Sequence, residues 1–307
     1  MSDRPRWLLP AAFVLLGLIW GSSFAWIKIA VDEIPPASLV AWRMGLGAAA
    51  MLILLAFIRV PMPRGAREWL PLVVLGAVNA AIPIFLISWG EQFVDSGTAA
   101  VLNSLTPIFS LILAGVVLRV EPVTALRVGG LVLGFLGAAL LASRELDLRA
   151  NASGLIGAGA VVLAALSYAV GASYARHRIR STHRYVVAGG TLLFAAIDMV
   201  GLALITDGGV ILPTEPDTIL AVAWLGLLGS FVAYLCFFFL IEHLGATVAS
   251  MVTYVFPIVG VTLGVVLLGE RMDARLFLGT VLVLAGIIVV TLRYDAAVSR
   301  VPSGARE

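Results

Sequence analysis

Residues 115–137 read GVVLRVEPVTALRVGGLVLGFLG, and residues 264–286 read GVVLLGERMDARLFLGTVLVLAG. Aligned without a gap, the two stretches share Gly-Val-Val-Leu, then a glutamate, then two glycines. The matched residues are Gly115/Gly264, Glu121/Glu270, Gly130/Gly279 and Gly137/Gly286. Upstream the match continues, across a one-residue gap, to Pro107-Ile108 against Pro257-Ile258, and further to Leu75-Gly76 against Leu225-Gly226. Self-similarity at a long fixed offset is the mark of a duplicated unit, so this chain is built from two copies of one fold.

The residues around the repeat say what solvent that fold is made for. Of 307 residues, 61% are hydrophobic and 12% charged, against about 25% charged in an ordinary globular domain. The mean hydropathy is +1.06. A water-facing skin cannot be assembled from so few polar residues, so lipid is the expected solvent. Runs of about 20 apolar residues, enough to cross about 30 Å of hydrocarbon, fall at 8–30, 37–58, 69–90, 97–118, 124–142, 154–174, 185–206, 218–240, 246–268 and 275–292. Arg4 and Arg6 ahead of the first run give it the look of a cleaved leader, but the run continues through Gly21 to Ala30 and is read as a membrane helix. The expected fold is therefore an all-α integral membrane protein with ten transmembrane helices. The first repeat is placed at 8–142, the second at 154–292, and a cytoplasmic tail at 293–307.

Five helices is an odd number, so two copies in tandem must cross the membrane in opposite senses. With the N terminus in the cytoplasm, the inner segments hold fourteen arginines and the outer loops four, namely Arg144, Arg149, Arg271 and Arg275. Both termini are then cytoplasmic, in an inner or plasma membrane. Inverted odd-numbered repeats are the geometry of alternating-access transporters, with the substrate near the midplane between halves.

Composition also excludes several classes. The net charge of +2 does not call for nucleic acid, and the single cysteine, Cys236, builds neither a disulfide framework nor a metal site. There is no Gly-Lys-Ser/Thr phosphate loop to bind ATP, and no paired-Asp, Ser-His or His-Glu-x-x-His constellation in a span. No catalytic residue, metal or cofactor is expected. Short loops leave no room for a soluble output domain.

Polar residues inside apolar runs are the candidates for a site, because charge in hydrocarbon is costly and tends to face a bundle interior or water. Lys28, Arg43, Glu91 and Asn103 each lie within or at the edge of a run, all in the outer half; Asp198 interrupts the seventh. One reading places Lys28, Arg43 and Glu91 around a shared cavity with Asn103 in its wall, Glu91 exchanging a coupling proton and Asp198 as runner-up. The other lets Lys28 and Arg43 snorkel to the headgroups while Glu91 ends its helix. Asn79, Tyr168 and Tyr254, with Ser88, Ser167 and Tyr234, line a cavity or join helices. Trp20 is a cavity wall or packing, and Gly21 a hinge or a point of close helix approach. Pro107 and Pro257 are symmetry mates that bend their helices, statically or as gates. Glu121 and Glu270 cap the fifth and tenth helices or form gate ion pairs.

At these residues the sequence resembles the drug/metabolite transporter superfamily, in its EamA-like branch with two EamA domains. The resemblance is carried by Trp20-Gly21, Arg43, the two copies of the Gly-rich Glu motif, Trp89-Gly90-Glu91-Gln92, the run Gly97 to Asn103 with Pro107, and Leu244-Gly245-Ala246-Thr247 through Pro257. It covers roughly 8–292. It implies a secondary transporter, usually an exporter of amino acids, metabolites or drugs, with protons as coupling ion; a channel-like uniporter or an importer is the alternative. The expected partners are a small-molecule substrate and membrane lipid, with a homodimer left open. Two features depart from the family pattern. Val120-Glu121-Pro122 stands where Gly269-Glu270 shows the usual dipeptide, and the second repeat has no match for Arg43.

Overall fold

The structure is a computed structural model, and it describes residues 7–113, 117, 124–149, 152–179 and 182–291. Glu121, Gly115 and the 293–307 tail lie outside the described residues. Among the described residues there are ten apolar helices, eight of them long enough to span by themselves and two shorter. In chain order they are α1 (Leu8–Ala30), α2 (Pro36–Ile58), α3 (Ala66–Gly90), α4 (Ser96–Ile112), α5 (Ala125–Arg149), α6 (Ser153–Arg178), α7 (Arg184–Thr206), α8 (Pro216–Ser250), α9 (Met251–Leu268) and α10 (Ala274–Thr291). Among the described residues there is no strand.

Three of the five pairs of repeat mates pack against each other, and all three do so antiparallel. A methyl group on Gly286 would stand 2.6 Å from the Gly130 carbonyl, and one on Gly137 2.8 Å from the Gly279 carbonyl. The four glycines of the repeat motif thus meet one another where α5 crosses α10, because only a missing Cβ lets two backbones approach so closely. Along α2 and α7, Ser38 meets Asp207, Gly47 meets Leu192 and Leu55 meets Gly189. Along α4 and α9, Ser96 meets Gly264, Ala100 meets Gly260 and Ser104 meets Thr253. In all three pairs one number rises as the other falls. The two halves are therefore inverted about an axis that runs through these pairs.

Four local features depart from the expected spans. Helix α5 does not end at 142 but continues to Arg149, for reasons found at its end below. The helix of α8 runs on through Ser250, so the expected 241–245 loop is helical. Helix α4 breaks at Ser104-Leu105, just ahead of Pro107, and α9 opens as a tight 3₁₀ turn, Met251–Tyr254, just ahead of Pro257. Proline has no N–H for the carbonyl four residues back. At Pro107 that carbonyl, of Asn103, accepts from the Thr106 hydroxyl at 2.8 Å. At Pro257 the corresponding carbonyl, of Thr253, accepts from the Ser104 hydroxyl at 3.4 Å.

Both α3 and α8 widen into a π-turn at the same place in their repeats. In α3 it spans Ala77–Ala81, directly after Leu75-Gly76; in α8 it spans Trp224–Val232 and contains Leu225-Gly226. The Ile82 N–H reaches back five residues to the Ala77 carbonyl, and the Ala233 N–H reaches to the Leu228 carbonyl. Each turn leaves one carbonyl without its usual donor, Val78 in α3 and Gly229 in α8. A side chain from the symmetry-related helix supplies it. The Ser167 hydroxyl on α6 donates to Val78 at 2.7 Å, and the Trp20 indole N–H on α1 donates to Gly229 at 3.0 Å. Pro83 explains the turn in α3; α8 makes the same turn with Tyr234 in the equivalent region.

Candidate functional site

The candidate site is gathered around Arg43, beside the π-turn of α8. Arg43 enters from α2 and is 6% exposed. Its Nε donates to the Ser230 hydroxyl at 3.4 Å, and Ser230 in turn donates to the Leu225 carbonyl at 3.1 Å, inside the π-turn of α8. A methyl on Gly229 would lie 3.6 Å from Arg43 Nη2 and 3.4 Å from Ser23 Oγ, so the guanidinium sits against this bare stretch of α8 and the small residues of α1. The titratable groups whose fields reach Arg43 are Tyr168, Tyr234 and Glu91. Among the described residues no carboxylate lies within ion-pair distance of it.

Aromatic rings complete the wall. The Trp20 ring stands edge-on to Tyr234 at 6.4 Å and Phe256 at 6.1 Å, and tilted to Phe237 at 5.3 Å. Trp20, Tyr168 and Tyr234 are each half-buried and keep part of their surface accessible. Asn79 lies in the π-turn of α3, its side chain against Gly171 of α6.

Glu91, just past the end of α3, is fully buried, and neither of its carboxyl oxygens has a hydrogen-bond partner. The charged groups whose fields reach it are Lys28, Glu270 and Arg43. Lys28 does not meet the carboxyl directly. Its ammonium donates to the main-chain carbonyls of Glu91 and of Val94, the latter at 2.9 Å, and so caps the C-terminal end of α3. Lys28 also borders a depression of about 430 Å³ at that end of the bundle, with Asp32, Asp95 and Glu270. Asn103 is buried with its Oδ1 unpartnered.

Other expected site residues lie elsewhere. Gly21 is in the contact between α1 and α9, where a methyl would come within 2.6 Å of Val259, and α1 passes through it without a break. Asp198 is exposed on α7 beside Ile197, on the face turned away from the bundle; hydropathy detects such a residue but not which side of the helix bears it. Tyr254 is half-buried in the 3₁₀ turn of α9. Glu270 caps a helix, but not the expected one. Its carboxylate accepts the N–H groups of Ser96 at 2.6 Å and Gly97 at 3.0 Å, at the start of α4 in the other half. The start of α10 is capped by Asp273, which accepts from the Leu276 N–H at 2.8 Å.

The residue that sequence reading missed is Arg144. It is 1% exposed, and its guanidinium reaches Asp95 Oδ2 at 3.0 Å, Glu145 Oε1 at 2.6 Å, Asp273 Oδ2 at 2.8 Å and the Arg271 carbonyl at 2.7 Å. This cluster joins the α3–α4 loop and the end of α5 to the α9–α10 loop, one half to the other, and accounts for the extra turns of α5. The same end is tied again by Glu33, whose carboxylate accepts from the Thr214 and Glu215 N–H groups. Hydrogen bonds from Thr218 and Thr214 hold Glu33 down at about 2.

Ten apolar helices in two inverted halves, meeting at buried charges, define a polytopic membrane protein of the transporter class. The chain belongs to the EamA-like transporter family, which matches residues 8–143 and again 155–292. It is 25% identical to an uncharacterized transporter of Archaeoglobus fulgidus, over 93% of this chain and 98% of that one. It is 28% identical to a probable terminal-alkyne amino-acid exporter of Streptantibioticus cattleyicolor, over 92% and 93%. It is 29% identical to the uncharacterized inner membrane transporter YedA of Escherichia coli K12, over 94% and 93%. A crystal structure that is 19% identical superposes with a TM-score of 0.64 over 94% of this chain and 98% of its own, which speaks to the fold alone.

Proposed function

We propose that this protein is a secondary transporter that exports a small organic solute by alternating access, with a proton as the coupling ion carried on Glu91. The observation that carries the reading is the pair of buried, unjoined charges, Arg43 and Glu91, near the seam between inverted halves. Burying an ionised carboxylate without a donor is costly, and binding a proton removes that cost. A group in that position takes up a proton when one side opens and gives it up when the other does. Both termini are cytoplasmic in this reading, in the inner membrane, which puts the Arg144 end outside. The name of the Streptantibioticus cattleyicolor relative supports export and a solute of amino-acid size.

The test is flux in proteoliposomes with an imposed pH gradient, over a panel of amino acids and small carboxylates. Saturable, gradient-driven flux that is stimulated by counter-solute supports the reading. Glu91→Gln is expected to lose the response to the gradient while keeping solute exchange. Flux that rises linearly with solute, or gradient-driven flux that survives Glu91→Gln at the parent rate, overturns it. For orientation, a single cysteine at Asp217 should react with an impermeant thiol reagent from outside; reaction only after permeabilisation reverses the topology.

A further inference from the structure

The geometry points to a binding site for an organic monocarboxylate at Arg43, its carboxylate on the guanidinium and its apolar body against Trp20. This rests on the transport reading only in taking the central space as the solute's place; binding itself is measured without flux.

An arginine is charged at every pH a membrane meets and carries five N–H donors in a rigid fork. Here one donor is used, Nε to Ser230, at the long distance of 3.4 Å. A buried charge left without a counter-ion is among the most costly arrangements in a fold. Among the described residues, the acid whose field reaches Arg43 is Glu91, and it does so without a bond. The fork is therefore built for a guest anion that takes two parallel N–H bonds, the geometry a carboxylate offers. The phenols of Tyr168 and Tyr234 lie near enough for their fields to reach the guanidinium, and a phenol can donate to the lone pairs a bidentate carboxylate leaves over.

The same surroundings set the guest's charge and shape. A phosphate monoester carries close to two charges and calls for a second cation. The other candidate, Lys28, is already spent on the Glu91 and Val94 carbonyls at the end of α3. One guanidinium matches one negative charge. The wall beside it is apolar even where a polar atom is present, because the Trp20 N–H is committed to the Gly229 carbonyl at 3.0 Å. What Trp20 offers a guest is its ring face, backed by Tyr234, Phe237 and Phe256.

The experiment uses the full-length protein in detergent and three probes that each carry one phenyl ring, 3-phenylpropionate, 3-phenylpropionamide and phenyl phosphate. Binding is read by thermal stabilisation and by tryptophan emission, with Trp20→Phe identifying the reporter. The carboxylate is expected to bind saturably, at least ten-fold tighter than the amide or the phosphate, with the emission change lost in Trp20→Phe. Arg43→Gln should abolish the preference for acid over amide. Arg43→Lys should keep a reduced preference, since an ammonium supplies charge without the fork. Equal binding of acid and amide, tighter binding of the phosphate, or an unchanged preference in Arg43→Gln overturns the assignment. Should Arg43→Gln fail to fold, Ser230→Ala serves in its place. It frees the guanidinium from its one anchor and should weaken the carboxylate several-fold while leaving the amide unaffected; equal loss for both probes overturns the assignment. Failure of gradient-driven flux with these binding results intact would remove the coupling mechanism and leave the site.

Discussion

Replacing Arg144 by methionine removes the cation that joins the two halves at one end of the bundle. The surroundings determine what this costs. Glu145 is fully buried and already has one oxygen, Oε2, without a partner; Asp95 is 18% exposed; Asp273, at 40% exposed, is largely solvated and loses little. Stripping the counter-ion from a buried carboxylate costs about 3–5 kcal/mol, and the low end applies because two of the three acids reach water. About 3 kcal/mol favouring the closed arrangement corresponds to an opening equilibrium shifted about 100-fold. The assay places a reporter cysteine at Ser96, whose N–H is held by Glu270 and whose hydroxyl is unpartnered, in a Cys236→Ser background. Reaction with an impermeant maleimide should be about 100-fold faster in Arg144→Met than in its parent. A cysteine at Thr191, buried in α7, controls for unfolding and should stay unreactive in both. If the Ser96→Cys rate changes less than three-fold, or if both cysteines become reactive together, Arg144 does not hold this end shut.

Three further outcomes follow from the geometry. Gly286→Ala puts a methyl 2.6 Å from the Gly130 carbonyl and should lower stability by about 1–3 kcal/mol, whereas Gly159→Ala, in open space, should leave the melting temperature unchanged or raised; equal effects would mean the α5–α10 contact is not tight. Ser167→Ala and Trp20→Phe each strip the donor from a carbonyl released by a π-turn, and each should cost about 1–3 kcal/mol in thermal unfolding; a loss in neither would place water or a shifted backbone at those carbonyls. Glu33 titrates at about 2 in the folded protein, below its ordinary 4.5, so its contribution is complete above 4.5 and is lost as pH falls towards 2. The melting difference between parent and Glu33→Gln should hold from pH 7 to 4.5 and close below that, and a difference already closed at pH 5 would contradict the pairing with Thr214 and Thr218.

The ten spans and their inversion were legible because both are written in periodic, lipid-facing features. Apolar length marks a span, and the Gly130/Gly137 and Gly279/Gly286 pairs mark the faces that touch. The breaks ahead of Pro107 and Pro257 and the π-turn ahead of Pro83 follow from proline's missing donor. The matching π-turn in α8 has no proline, and only the repeat alignment at Leu225-Gly226 could have placed it. Arg144 was hidden for a different reason. Hydropathy separates lipid from water, so an arginine beyond the last apolar turn of α5 reads as a solvated loop residue, although its neighbour Glu145 and the distant Asp95 and Asp273 make it an interior one. Asp198 shows the reverse, a charge inside a span that the helix turns outward. Of the candidate site around Arg43, the sequence displays the charges but not the surroundings, since Ser230, Phe237 and Phe256 are ordinary residues until α8 and α9 fold against α1 and α2.

The crossing of α5 with α10 has a consequence for how the molecule is held together. Gly130 meets Gly286 and Gly137 meets Gly279, and the repeat equates Gly130 with Gly279 and Gly137 with Gly286. The surface is thus self-complementary, as in a two-fold dimer, where each patch is its own partner. A first half made alone would carry on α5 the template for a second copy of itself, provided that copy entered the membrane upside down. The connection between α5 and α6 fixes what free halves would have to achieve by chance, one subunit of each orientation, present in equal number and already side by side.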